Sequence, residues 1–374
     1  MRGLLLKTLR FLYRWPVRAL FFLFNSEIIH EVLTKMGERL GNGRLLKSLT
    51  GKLLRVDNST IAQDLFNIQF RNPVGLAAGF DYEARLTQFL PSLGFGFESV
   101  GTITNSPYEG NPKPRLGRLI KSRSLLVNKG FKNLGIDEFI NRHRNSHFEI
   151  PIGVSMGKTN GQQNMSQVDA INDIVSAFKK VIESKIPMSY LELNISCPNL
   201  FGNVEFYTPS HLKELLTAVC GLKLQKPLFI KMPIEKSDEE TLAMMEAIVT
   251  FPVSAVIFGN LQKNRKDPAV CPEEAFKYEK GNLSGKPTER RSNELIKLVY
   301  KKYGSKIKII GCGGVFSAED AYKKIKLGAS LVQLITGLIY VGPQLVSEIN
   351  HGLIELLSRD GYKNIREAVG ADVD

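Results

Sequence analysis

The sequence predicts an α/β protein built on a (β/α)8 barrel, with a small helical segment before it. After residue 57, short β-rich apolar runs alternate with longer amphipathic segments, and the runs number eight. Parallel strands need helical crossovers, and eight such strands close into a packed barrel. A doubly wound open sheet is the alternative, but no GxGxxG motif followed by an acidic residue ~20 positions later supports it.

The eight predicted strands are short and rich in Val, Ile, Leu and Phe, as strands buried on both faces usually are. They cover 73–79, 95–101, 150–156, 190–195, 227–232, 254–259, 308–311 and 329–335. The helices predicted between them carry apolar residues at helical spacing. They include 169–185, 211–224, 237–250, 290–303, 318–327 and 345–357.

Two connections are longer than the others and rich in Pro, Gly and charge. They cover 102–126 and 260–289, and each follows a predicted strand. The loops that follow barrel strands lie on the rim where active sites form, so we expect both connections to shape a site.

The N-terminal segment, 1–50, lacks the alternation and predicts a separate amphipathic helical unit, joined through a linker at 41–51 to a barrel domain at 51–374. Residues 1–26 contain five basic residues and no acidic one, interleaved with Leu, Phe and Trp15. No apolar run approaches the ~20 residues that cross a bilayer, so we expect this segment to lie on a membrane surface. Two alternatives remain open: a tail that packs on its own domain, and a mitochondrial presequence.

Composition and charge describe an ordinary globular chain and exclude a disordered one. The 374 residues are 43% hydrophobic and 23% charged, with 50 Lys and Arg against 37 Asp and Glu, a net charge of +13. The charge gathers at the apolar N terminus and on dispersed helices rather than in a basic and aromatic stripe, which disfavours nucleic acid as a partner. Four scattered cysteines and five histidines predict neither a metal site nor a disulfide framework.

Candidate catalytic residues follow the fourth and fifth predicted strands. The motif ELNISCPN places Asn194, Cys197 and Asn199 at one strand end. Amides bind a polar heterocycle through donor and acceptor together, and a thiol with an ordinary pKa of ~8.5 exchanges a proton near neutral pH. We therefore interpret Cys197 as an acid/base group, although a lone cysteine is more often a buried apolar residue. Lys231 ends the next strand, where a cation would meet an anionic ring atom or a phosphate.

The seventh and eighth strand ends, IIGCGGVFSAEDA and VQLITGLIYVGP, carry small residues. In barrels these two loops frequently bind a phosphate through backbone N–H groups. Gly313, Gly314, Thr336 and Gly337 fit such a site.

Together these motifs resemble the dihydroorotate dehydrogenase family over essentially the whole chain. The matching stretches are NPVGLAAGFD (72–81), LGFGFESVGTIT (93–104), GNPKPRLGRL (110–119), ELNISCPN (192–199), NLSGKP (282–287), IIGCGGVFSAEDA (309–321), GASLVQLITGLIYVGP (328–343) and RDGYKNIREAVGAD (359–372). The basic apolar N terminus and FNSEIIHE (24–31) are similar to the membrane-associated, quinone-using class.

The resemblance implies an FMN-dependent oxidoreductase of pyrimidine biosynthesis that oxidises dihydroorotate to orotate and passes the electrons to a quinone. It implies Cys197 as the base, and Asn199 and Asn260 as substrate-binding amides. The flavin contacts that it implies are Ala78, Gly79, Thr102, Asn194, Lys231, Ser284, Gly285, Gly313, Gly314, Thr336 and Gly337. It also implies peripheral attachment to the cytoplasmic face of a bacterial inner membrane, with the mitochondrial inner membrane as the alternative.

Several positions depart from the family pattern, mainly where the substrate would bind. Tyr82 stands where the family usually has lysine, Val127 where it has asparagine, and Leu261 where it has threonine or serine. Cys197 replaces the serine usual in the quinone class and is similar to the base of the soluble class. Three hypotheses follow: a working dihydroorotate dehydrogenase with Lys129 or Lys132 in compensation, a paralogue acting on another cyclic or enone substrate, and a flavin-fold binding module without turnover.

Overall fold

The computed structural model describes residues 2–161, 165–202 and 204–373. Eight parallel strands close into a barrel in chain order: each strand pairs with the barrel strands before and after it in the sequence, and the last pairs with the first. The strands are Val74–Leu76, Phe97–Ile103, Ile152–Met156, Tyr190–Asn194, Leu228–Met232, Ala255–Phe258, Lys308–Cys312 and Leu331–Leu334. Each overlaps one predicted strand, so the predicted barrel is confirmed and the open sheet is wrong.

Helices cover the outside of the barrel and bury one apolar face each against it. They are Ile136–His143, Gln167–Ser184, Pro209–Cys220, Asp238–Ile248, Glu289–Tyr303, Ala318–Lys326, Thr336–Val341, Leu345–Arg359 and Ile365–Ala368. Two of them begin at a capping box, in which a serine and the acidic residue three positions later satisfy each other's backbone N–H groups. The pairs are Ser166 with Asp169 and Ser237 with Glu240.

A hairpin of two short strands, Gln63–Leu65 and Ile68–Phe70, closes the N-terminal end of the barrel. Phe70 meets Phe97 edge-on with ring centroids 5.4 Å apart, and both side chains are buried. Tyr190 and Phe229 stack behind them at 4.4 Å. This aromatic plug leaves the C-terminal rim as the open end.

The two long connections form regular structure that the sequence analysis missed. Leu116–Leu119, Ser124–Val127 and Asn282–Leu283 pair into a three-stranded antiparallel sheet on the rim. Arg265 holds the second connection together, because its guanidinium donates to the backbone oxygens of Ala275 and Gly281. The rim is therefore a built platform rather than a pair of open loops.

The N-terminal segment is helical, as predicted, with helices Arg2–Leu12, Arg18–Leu23, Ser26–Asn42 and Arg44–Leu54 and a π-helical turn at Tyr13–Val17. The predicted linker at 41–51 is wrong, because the helix Arg44–Leu54 covers most of it and buries Leu54. Leucine and lysine make up seven of the eleven residues of this helix and are good helix formers, so they outweigh the one glycine inside it.

Polar contacts fasten the N-terminal segment to the barrel. Tyr13 donates from its hydroxyl to the Ile339 oxygen at 2.7 Å, and Arg18 donates to the Tyr340 oxygen at 2.8 Å. Among the described residues, no helix is both long and apolar enough to cross a bilayer.

Candidate active site

A cavity of about 640 Å³ opens at the C-terminal rim, between the barrel and the N-terminal helices. Its volume lies within the ~300–1,000 Å³ common for small-molecule sites. Every site residue named from the sequence lies on its wall, although these residues come from eight separate stretches of chain. The structure therefore brings the whole predicted set together.

The floor of the cavity is a chain of hydrogen bonds across three neighbouring strands. Asn194 donates its amide to the Thr102 hydroxyl at 2.7 Å, and that hydroxyl lies 3.0 Å from Ser155. Ser155 in turn donates to the buried carboxylate of Glu192 at 2.8 Å. Ser155 thus links the Thr102 hydroxyl to the Glu192 carboxylate in one polar network.

Cys197 follows the strand Tyr190–Asn194 and faces the same cavity. Burial raises the pKa of its thiol to about 12, a shift that the backbone N–H of Asn199 and the charge of Lys231 partly oppose. The thiol is therefore protonated at neutral pH in the ligand-free protein, and it has to lose this proton before it acts as a base.

The two candidate substrate amides are already held in place by protein groups. Asn199 donates to the Val127 oxygen at 3.0 Å and accepts from the Asn282 amide at 2.7 Å. Asn260 donates to both the carbonyl and the hydroxyl oxygen of Ser196. Both amides are preorganised, and Asn199 retains a second N–H for a ligand.

Lys231 offers a buried cation to the cavity. It is 3% exposed, and among the described residues its ammonium has one hydrogen-bonding contact, a long one of 3.5 Å to the Ala78 oxygen. A buried ammonium is normally well paired, so this one is suited to an electron-rich ligand atom.

Backbone turns line the opposite wall. Gly313 and Gly314 adopt φ values of 95° and 74°, and Gly285 adopts 76°, a region that favours glycine. A Cβ at Gly314 would overlap the side chain of Glu289. Nearby, the hydroxyls of Ser284 and Thr336 lie 2.8 Å apart. The backbone N–H groups of these turns and the two hydroxyls are suited to bind an anionic group such as a phosphate.

The departures from the family pattern face this cavity too. Tyr82, Val127 and Leu261 all line it, so these substitutions alter the polarity of the cavity wall and not only the outer surface of the protein. Lys129 lines it as well, with its ammonium 4.2 Å from the centre of the Tyr82 ring. Lys132 instead lies 3.7 Å from Glu27 on the N-terminal segment.

Sequence reasoning missed the asparagines that hold the rim together. Asn111 donates to the Asn128 oxygen at 3.0 Å and to the Asn199 backbone oxygen at 2.9 Å. Asn160 donates to the side-chain oxygen of Asn111 and to the Gly130 oxygen. The sequence signal that points to these asparagines is Asn111 inside the motif GNPKP, because the Gly and Pro residues around it already form the turn without an asparagine.

His30 and Arg118 line the cavity on the side of the N-terminal helices and were also missed. His30 contacts the Phe80 oxygen at 2.7 Å, and burial together with Lys129 lowers its pKa to about 3. This neutral imidazole adjoins an apolar part of the wall, which is formed by Phe21, Ile29, Leu33, Met36, Leu40, Leu53, Phe89 and Leu338.

Comparison with known proteins identifies the relatives of this arrangement. Residues 60–357 match the family model described as dihydroorotate dehydrogenase. The chain is 35% identical to "Dihydroorotate dehydrogenase (quinone)" of Sulfurovum sp. over 95% of this chain and 97% of that one. It is also 35% identical to the protein of that name from Christiangramia forsetii, over 92% and 99%. Among solved structures, DHODH from Eimeria tenella in complex with ferulenol matches with a TM-score of 0.80 at 27% identity, covering 93% and 96%.

Proposed function

Because the chain belongs to the dihydroorotate dehydrogenase family, we propose that it oxidises dihydroorotate to orotate with bound FMN and passes the electrons to a quinone. One observation carries the proposal: Cys197, the amides Asn194, Asn199 and Asn260, and the cation Lys231 line a single cavity with the glycine turns. Relatives named "Dihydroorotate dehydrogenase (quinone)" align with nearly the whole chain.

The residues present fit FMN. Lys231 and Asn194 would hold the electron-rich edge of the ring, with Thr102 behind Asn194, and Ala78 and Gly79 allow a flat ring to approach backbone. The phosphate would lie against a wall formed by Ser284, Gly285, Gly313, Gly314, Thr336 and Gly337. When bound, FMN supplies the acceptor for the hydride that leaves the substrate.

The chain itself supplies the proton chemistry. Cys197, once it has given up its own proton, takes as a thiolate the proton from the carbon next to the one that loses the hydride, and the new C=C bond forms between these two carbons. Asn199 and Asn260 hold the ring so that this C–H bond faces the sulfur, because both amides are fixed by protein contacts before substrate arrives. Such positioned proton transfer contributes typically ~10²–10⁴-fold to a rate.

The apolar wall beneath the N-terminal helices supports the quinone as acceptor. It joins the polar part of the cavity, so one continuous space reaches from Cys197 to side chains such as Leu33 and Met36. The outer face of the same helices exposes large apolar residues, among them Leu4, Phe11, Trp15, Leu20, Leu23, Phe24, Ile28 and Val32.

We propose that this outer face rests on a membrane, and that residues 1–50 act as the membrane and quinone-access unit of the barrel at 51–374. Exposed apolar patches rimmed by basic residues are typical of membrane-surface helices. The cytoplasmic face of a bacterial inner membrane is the proposed location, with the mitochondrial inner membrane as the alternative.

The test is anaerobic. The protein is purified in mild detergent, bound flavin is measured by absorbance, dihydroorotate is added, and a ubiquinone analogue follows. We expect the flavin band to bleach and then return. A yellow protein that ignores dihydroorotate would favour a paralogue with another ring or enone substrate, and a colourless protein would favour a binding module without redox chemistry.

A further inference from the structure

We propose that Lys129 is the cation that binds the anionic group of the ring substrate in this cavity, and so sets its preference for a carboxylate-bearing ring. The inference deepens the proposed function and rests on it. The described residues place three cationic side chains on the cavity wall: Arg118, Lys129 and Lys231.

The other two cations have partners or roles of their own. Arg118 donates to the Phe22 and Phe24 oxygens and lies 4.7 Å over the Phe22 ring, so it fastens the N-terminal helices. Lys231 lies beside Ala78, where the flavin ring is proposed to bind. Lys129 is the cation that remains for the substrate.

Lys129 is buried without a hydrogen-bonding partner for its ammonium among the described residues. It is 5% exposed, and the contact of its Nζ is with the face of Tyr82, 4.2 Å from the ring centre. A cation–π contact attracts an ammonium but satisfies none of its N–H donors. Those donors remain available to a ligand in the cavity.

The loop that carries Lys129 is tied to the candidate substrate amide from two sides. Asn111 donates its backbone N–H to the Lys129 backbone oxygen at 3.2 Å. Its side-chain amide donates to the Asn199 backbone oxygen at 2.9 Å. Asn199 itself donates to the Val127 oxygen, two residues before Lys129. A ring that contacts Asn199 therefore comes close to this loop.

The charges around Lys129 do not neutralise it. Of the acidic groups that stabilise the charge of Lys129, Glu27 has the largest effect, but it already pairs with Arg115 at 3.2 Å and lies 3.7 Å from Lys132. Glu31, which also acts on Lys129, pairs with Lys35 at 2.9 Å. This corner of the cavity keeps an excess of positive charge, which an anionic ligand would balance.

The test measures binding rather than turnover. The purified flavoprotein is titrated calorimetrically with orotate and with uracil, which has the same ring without the carboxylate. Variants are Lys129→Met, which keeps the apolar stem, Lys129→Arg, which restores a cation, and Lys132→Met, a control on the same loop.

We expect Lys129→Met to bind orotate about ten- to a hundredfold more weakly, the range for losing one charge-assisted hydrogen bond, while uracil binding stays unchanged. Lys129→Arg should recover part of the loss, and Lys132→Met should behave as the unmodified protein does. Equal weakening of orotate and uracil would mean a structural role, and unchanged orotate binding would mean no role. Either result overturns the inference.

The flavin-bleaching experiment separates this inference from the proposed function. A protein whose flavin bleaches with dihydroorotate, while Lys129→Met binds orotate normally, would refute the inference alone. A protein that binds orotate through Lys129 without flavin bleaching would refute the proposed function alone.

Discussion

Asn260 donates its side-chain amide to the carbonyl oxygen of Ser196 at 2.7 Å and to its hydroxyl at 2.5 Å. Ser196 is the residue directly before Cys197, and its own hydroxyl donates to Asn194 at 2.8 Å. The amide at one strand end therefore fixes the backbone from which the candidate base projects. Because these contacts hold the neighbouring backbone, a substitution at position 197 should change the reacting atom without displacing the strand end.

Replacing Cys197 separates proton removal from binding. We expect Cys197→Ala to slow flavin reduction by dihydroorotate about 10²–10⁴-fold, because the alanine side chain has no atom that accepts the proton. Cys197→Ser should also slow the reaction, though less than alanine does, because a hydroxyl ionises less readily than a thiol but keeps an acceptor atom at the same place. The measurement is anaerobic stopped-flow absorbance at saturating dihydroorotate, and calorimetry with orotate checks that both variants still bind. An alanine variant as fast as the unmodified protein would remove Cys197 from the mechanism.

The pH dependence of flavin reduction follows from the raised pKa of Cys197, about 12 because of burial. Below that pKa the thiolate fraction rises up to tenfold per pH unit, so the rate should increase steadily between about pH 6 and 9. A rate that levels off near neutral pH would show that the bound substrate and cofactor lower the pKa of this thiol, and would contradict the prediction.

Orotate binding should depend on pH in the opposite direction. Burial lowers the pKa of Lys129 to about 7, with Lys132 and Arg115 acting in the same sense and Glu27 and Glu31 opposing them. Only the protonated ammonium attracts a carboxylate, so orotate affinity should fall as the pH rises above about 7, by up to tenfold per unit. Calorimetric titration across this range checks it, and in Lys129→Met the slope should vanish. A slope that persists in that variant would assign it to another group.

The barrel could be predicted because its signal is local. Each strand is a short apolar run, and Val, Ile and Phe in those runs satisfy both the strand preference and the buried core, so the two requirements agree. The rim sheet was missed because Leu116–Leu119 and Ser124–Val127 are only four residues long each and lie in a stretch rich in Pro, Gly and charge. The helix Arg44–Leu54 was missed because glycines at its two ends imitate a linker.

The site was predictable to the extent that it lies at strand ends. Asn194 and Lys231 lie in the last two residues of their strands and Cys197 lies three residues after one, so finding the strand finds the residue. Asn111 and His30 lie in a loop and in a distant helix, and only the three-dimensional fold brings them to the cavity. The position of Lys129 beside Tyr82 likewise depends on a contact between loops that no spacing in the sequence reveals.

The glycine wall offers a prediction about the cofactor. Gly314 adopts φ 74°, and a Cβ there would overlap Glu289. We expect Gly314→Ala to lower the flavin content of the purified protein and to cost about 1–3 kcal/mol of stability. Gly361→Ala is the matched control, because Gly361 has φ 81° with open space around it. If both variants lose flavin equally, backbone strain rather than crowding at the wall is the cause.

The membrane-facing surface offers another matched pair. Leu23 on the N-terminal helices and Phe276 on the barrel rim are each 81% exposed. Leu23→Glu should reduce sedimentation with anionic phospholipid vesicles, because it places a charge where an apolar side chain enters the interface. Phe276→Glu should sediment as the unmodified protein does. Equal loss in both variants, or none in Leu23→Glu, would argue against attachment through this face.

The contact between Lys129 and Tyr82 also makes the two positions depend on each other. A lysine at position 82 would bring a second ammonium close to the first, within a buried corner where like charges repel strongly. The residue tolerated at either position therefore depends on the residue at the other, so a redesign of this pocket has to change the two together.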